Sequence, residues 1–142
     1  MQKPVDSLKI NYNGKERSVT GSFNSVEFEN EGYTIIYIPS LRLSAYGKNL
    51  EEAHEMMGGV VLQDFAETLV QYSVDRVIKE MKDLGFKQSP FFKSVLSNYF
   101  HMDKEGILRE FDLSEDIIMQ ERLVTHQSGY LAESSMSNDQ VN

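Results

Sequence analysis

Leu8, Ile10 and Tyr12 alternate with Lys9 and Asn11, and the dipeptide Asn13-Gly14 follows. A period of two marks a half-buried strand. Asn-Gly tolerates the positive φ of a tight hairpin, so residues 15–19 are the expected return strand. A further strand is expected over residues 23–28, and the polar stretch 29–32 reads as a loop. Residues 33–38 then carry bulk on both faces, with Tyr33, Ile35 and Tyr37 on one and Ile36 and Ile38 on the other. That pattern predicts a central strand covered on both sides. Pro39-Ser40 turns the chain, because Pro39 has no N–H to give a ladder. Leu41, Leu43 and Ala45 next alternate with Arg42, Ser44 and Tyr46.

The period changes after Gly47. Asn49 and Glu52 form an Asn-x-x-Glu capping pair. Apolar residues follow at 50, 53, 57, 61, 65 and 69, joined by Met56, Val60 and Val70, while Glu51, Glu52, Glu55, Gln63, Asp64 and Glu67 line the other side. One helix to about residue 71 is predicted. Gly58-Gly59 sits inside it, at ~1 kcal/mol per glycine relative to alanine. Close approach of helix to sheet, or a break between two helices, would account for the pair. Ser73 caps a second helix with Val74, Val77, Ile78, Met81 and Leu84 inward, and Gly85 ends it. Ser89-Pro90 opens a predicted third helix with Phe91, Phe92, Val95, Leu96, Tyr99 and Phe100 at three- and four-residue steps. Residues 103–106 read as a turn, and 107–111 fit strand or helix. Ser114 is placed to cap a helix carrying Ile117, Ile118, Glu121 and Leu123. From Thr125 the chain is mostly polar, and 125–142 is expected as a mobile tail. The expected fold is α+β: one domain over residues 1–124, with an antiparallel sheet of three to five strands, a long helix packed on one face and additional C-terminal helices.

Charge narrows the choice of partner. The 142 residues carry a net −8. Residues 1–48 hold six Lys/Arg and five Asp/Glu, whereas residues 49–142 hold eight and seventeen. Phosphate backbones draw their affinity from Lys and Arg, so the acidic half suits a basic protein better than a nucleic acid. The longest apolar run, residues 56–62, is far short of the ~20 residues of a membrane helix. The first residues lack the apolar core of a secretion signal, and a cytoplasmic location is expected. With no cysteine, disulfides and thiolate metal sites are excluded.

Candidate chemistry is sparse. No two of His54, His101 and His126 lie four residues apart, and each is expected to be solvated. Glu27 could meet Asp64 or Glu67 as a residual two-metal nuclease site. No serine stands in a glycine-flanked elbow, and no Gly-Lys-Ser/Thr follows Gly58-Gly59. No catalytic residue, metal or cofactor is expected. Residues 106–118 are similar to the helix, Leu-Ser turn and second helix of a helix-turn-helix, and a strand followed by a helix fits equally. DNA binding through residues 106–124 is the alternative function.

The order of Gly32-Tyr33, Tyr37-Ile38-Pro39-Ser40-Leu41, Gly47 and Asn49-Leu50-Glu51-Glu52-Ala53 resembles the HicB family, bacterial antitoxins of toxin–antitoxin pairs. The resemblance covers residues 32–70 and rests on Gly32, Tyr37, Pro39, Leu41, Gly47, Asn49, Glu52 and Ala53. It implies a partial ribonuclease-H-like fold, no enzyme activity, self-association, and masking of a small basic RNA-cleaving partner, a HicA-like toxin. Such proteins often add a C-terminal DNA-binding module. The hairpin over 8–19 is extra to that core, and the C-terminal half lacks a clear DNA-binding motif. The partner-binding candidates are Asp103, Glu105, Glu110, Asp112, Glu115 and Asp116, opposed only by Lys104 and Arg109.

Overall fold

The structure, a computed structural model, describes residues 5–13 and 16–131. Strand β1 (Asp6–Asn13) turns into β2 (Glu16–Asn30), a 15-residue strand. Asn13 pairs with Glu16, as the hairpin signal predicts, while Gly14 and Lys15 lie outside the described residues. The two strands expected over 15–19 and 23–28 are one. Its first half pairs with β1 and its second half with β3 (Tyr33–Ile38), which in turn pairs with β4 (Leu43–Gly47).

A seventh strand explains how β2 serves both partners. β7 (Gln120–Leu131) runs antiparallel to β2 from Glu27↔Gln120 to Glu16↔Leu131. Ser18 faces Asn11 on one side and Gly129 on the other, and Glu27 faces Ile36 and Gln120. β1 and β3 therefore share one edge of β2, one after the other, with β7 along the opposite edge. At the fork between them the buried Asp6 carboxylate accepts from Asn24 N at 2.9 Å and also binds Asn24 Nδ2. That backbone N–H has a partner although no strand pairs there.

The helices pack as the 3.6-residue stripe demands. α1 (Leu50–Met56), a π turn over Met57–Val61 and α2 (Leu62–Val70) form one continuous helical path. Asn49 Oδ1 accepts from Glu52 N at 2.8 Å, and Glu52 Oε1 accepts from Lys48 N at 2.6 Å. A Cβ at Gly47 would lie 2.6 Å from Ala53 N, and Ala53 is 0 % exposed. Glycine and alanine at these positions let β4 and α1 touch. Gly58 and Gly59 have no such role: a Cβ at either meets nothing within 4 Å. Close approach to the sheet is thus not the reason for that pair, and the π turn is where the helix absorbs it. α3 (Val74–Asp83) is capped by Ser73, whose hydroxyl accepts from Arg76 N, and Gly85 follows at φ +101°.

Three expectations are corrected. Residues 91–100 are not a helix. Ser89 Oγ does accept from Phe91 N and Phe92 N, each at 3.1 Å. Beyond that single turn, β6 (Val95–Asn98) pairs with β1, places Leu8 beside Leu96, and pairs with the two-residue β5 (Lys87–Gln88). The free edge of β1 outweighs local helix preference, and Phe91, Phe92, Tyr99 and Phe100 are exposed. Residues 103–111 resolve as a helix: α4 (Lys104–Phe111), capped by Asp103 Oδ1 accepting from Gly106 N at 2.9 Å. No helix follows Ser114; a turn leads into β7, and residues 125–131 are strand instead of tail. Residues 132–142 lie outside the described residues.

The architecture is α+β, with an antiparallel sheet and helices on both faces. The main core joins Leu8, Phe23, Ile36, Ile38, Ala53, Met57, Leu62 and Met81 beneath α1, α2 and α3. On the other face α4 covers Val26, Phe28 and Tyr37 with Ile107. Phe111 meets the edges of Phe28 and Tyr37 at ring-centroid distances of 5.3 and 4.8 Å. β3 is covered on both sides, as its two-faced pattern predicts. No helix among the described residues is long and apolar enough to cross a membrane.

Candidate functional site

Packing of α4 against β2 and β3 sets the position of every acidic candidate. Ile107 and Phe111 anchor the helix, so its opposite side faces solvent with Glu105, Arg109 and Glu110. Asp112 ends it in the left-handed region at φ 54°, and Leu113 N bonds back to Leu108 O at 2.9 Å. After this reversal residues 112–118 run over the surface, and they help to line two grooves.

The first groove, of about 490 Å³, is lined by Lys104, Glu105, Leu108, Arg109, Asp112, Leu113 and Glu115. The second, of about 540 Å³, is lined by Glu27, Phe28, Glu29, Thr34, Leu50, Asp116, Ile117, Ile118 and Gln120. Glu105, Asp112 and Glu115 thus come together, and Asp116 faces the neighbouring groove. Asp103 is committed to capping α4. Glu110 stands near the Tyr37 phenol, whose pKa is raised above 10.0 by burial first and by Glu110 second, against the opposing charge of Arg42. The Ser114 hydroxyl donates to Asp116 Oδ1 and is the largest cause holding that carboxyl below its usual range. Ile118, 81 % exposed, and Leu50 add apolar surface beside the carboxylates.

Glu27 forms the inner wall of the second groove. It stands on β2 in phase with Val19, Phe23 and Ser25 and is 6 % exposed. Its Oε2 takes Arg122 Nε of β7 at 2.7 Å and His54 Nε2 of α1 at 2.8 Å. A carboxylate removed from water needs such donors. His54, although partly exposed, is therefore not a freely solvated residue; it ties α1 to β2. His126 is likewise held, with Nε2 3.0 Å from Gln63 Oε1, and burial lowers its pKa from 6.5. The sequence offered one signal for the Glu27 junction: an acid on the buried phase of an otherwise apolar and small-residue strand face.

The other candidate chemistries do not assemble. Asp64 is exposed beside Gly59 and Val60, and Glu67 accepts from Gln63 Nε2 at 2.8 Å. Neither joins Glu27. Among the described residues no three His, Cys, Asp or Glu side chains form a set that could hold a metal ion. The turn after Ser114 supplies no second helix, so residues 106–124 do not form a helix-turn-helix. The fold-signature residues take up separate local roles. Gly32 turns β2 into β3 at φ +86°, Pro39 and buried Leu41 shape the next turn, and Tyr37 packs against Phe111.

The class defined by this geometry is a helix-backed antiparallel sheet carrying an acidic and apolar double groove. Compared with family models, curated proteins and solved structures, the chain matches none.

Proposed function

We propose that the chain is a non-enzymatic regulatory binding protein of the HicB-like antitoxin kind, working in the cytoplasm by covering a small basic protein partner. One observation carries the reading. Helix α4 and residues 112–118 present five exposed carboxylates, Glu105, Glu110, Asp112, Glu115 and Asp116, against Lys104 and Arg109, with Ile118 and Leu50 exposed beside them. Carboxylates around an apolar centre suit a Lys/Arg-rich surface, steering it in and excluding water once it docks. Masking is the mechanism: a basic partner that cleaves RNA must offer its cations to phosphate, and the double groove competes for them.

The test is capture of the partner from an extract of the source organism, followed by titration of the purified pair. Wild-type chain is expected to retain a small basic protein in a salt-sensitive complex. The combined Glu105→Lys, Asp112→Lys, Glu115→Lys and Asp116→Lys variant is expected to weaken that complex by about tenfold or more, with its melting curve unchanged. Equal affinity in wild type and variant overturns the assignment of the surface. Retention of no basic protein overturns the function.

A further inference from the structure

We propose that the second groove binds a small organic cation, an alkylammonium of the polyamine class. The proposal goes beyond the masking role and does not rest on it, because a free ligand of this kind needs one groove and no docked protein. The volume of about 540 Å³ is that of a small-molecule pocket. Its floor is polar. Residues directly opposed across a ladder share one face of a sheet. Thr34 stands opposite Glu29, and Glu27 stands opposite Ile36, a residue of the main core. Glu27, Glu29 and Thr34 therefore all point to the side of the sheet that α1 covers, and Leu50 at the start of α1 lines the groove with them.

Thr34 carries the inference. It is 6 % exposed and lines the groove, and its hydroxyl has no hydrogen-bond partner among the described residues. A buried hydroxyl is normally satisfied, so this one is available to whatever enters. Beside it, Glu27 receives Arg122 and His54 on the single atom Oε2, and its other oxygen retains the capacity to accept. Charge then selects the ligand. Glu27, Glu29 and Asp116 bring carboxylates to the lining, and no Lys, Arg or His lines it. Among the described residues no three such groups converge as a metal site. A bare inorganic ion would also gain nothing from Leu50 and Ile118, 39 % and 81 % exposed. An alkylammonium uses both features. Its head stays charged at neutral pH and donates to the hydroxyl and the carboxylates, while its methylenes cover the two apolar side chains.

Calorimetric titration of the full chain with putrescine tests this, in about 0.15 M NaCl so that diffuse attraction to the acidic molecule is screened. Saturable binding at one site per chain is expected, with a dissociation constant between ~10 µM and ~1 mM. The matching diol, with the same carbon chain and no charge, is expected to show none. Thr34→Val keeps the branched shape and removes the hydroxyl, and Asp116→Asn removes one charge from an exposed side chain. Each is expected to weaken binding about threefold or more. Glu80→Gln, an exposed acid of α3 outside the groove, is expected to leave it unchanged. Should Thr34→Val fail to fold, Asp116→Asn decides alone. Absence of saturation overturns the proposal and leaves the basic-protein reading standing. Equal binding of the diol overturns it, as does an affinity indifferent to the groove variants. Equal weakening by Glu80→Gln overturns it too, because the cation would then be answering to total charge.

Discussion

Replacing both Gly58 and Gly59 by alanine should stabilise the protein, although the two residues sit mid-helix next to a buried Met57. Neither glycine is among those with positive φ, and a Cβ at either position meets nothing within 4 Å. Steric strain is therefore absent from the balance. What remains is helix propensity, worth up to ~1 kcal/mol for each glycine replaced by alanine, part of it gained by restricting the unfolded chain. The two together give about 1–2 kcal/mol. For a chain of this size, 1 kcal/mol moves Tm by about 3–4 °C, so the double variant should melt about 3–8 °C higher and each single variant about half as far. Scanning calorimetry gives the shift. Urea unfolding with an unchanged m-value would show that the gain is one of stability, with the compactness of both states unaltered. A flat or lowered Tm would refute the reasoning, because it would mean that the π turn needs the freedom only glycine has.

Two further perturbations probe the junctions between elements. Glu27→Gln removes the charge that Arg122 and His54 share, and because both partners reach solvent the loss should be about 1–2 kcal/mol, below that of a fully enclosed pair; urea unfolding as stable as wild type would contradict it. His126 titrates below 6.5 in the folded chain because burial disfavours its charged form. The unfolded chain takes up that proton first, so the stability from neutral His126 is complete above about pH 6.5 and declines on acidification. Tm should thus fall more between pH 7 and pH 5.5 in wild type than in His126→Gln, and parallel slopes would exclude the effect.

The tract from Tyr33 to the end of α1 was legible because each local signal agreed with the tertiary outcome. Two-faced bulk marked the covered strand, and the Asn49–Glu52 spacing marked the helix start. Residues 91–100 and 114–131 misled for one shared reason. Both are strands recruited by an edge already built, β1 in the first case and β2 in the second. Such strands bury little of their own: Leu96 in β6 and Val124 in β7 are the apolar side chains that reach the main core. Alternation is therefore faint, and the helix-like spacing of Phe91, Phe92, Val95 and Leu96 reads louder than the pairing that prevails. For the site, the run of acids was visible in the sequence, whereas the two grooves were not. The first is lined largely by α4, which Phe111 locks onto Phe28 and Tyr37, and the second joins residues far apart in the chain, from Glu27 to Gln120.

The β2–β7 ladder also orders events during synthesis. Arg122 reaches Glu27 from 95 positions further along the chain, and β7 emerges from the ribosome after every other described element. Until then one side of β2 stays bare, and α1 lacks the cation that shares its anchoring carboxylate. A nascent chain halted before Gln120 would expose that naked flank to chaperones and to other polypeptides. Contacts this distant in sequence close slowly, and the arrival of β7 is the step that commits the molecule to its finished form.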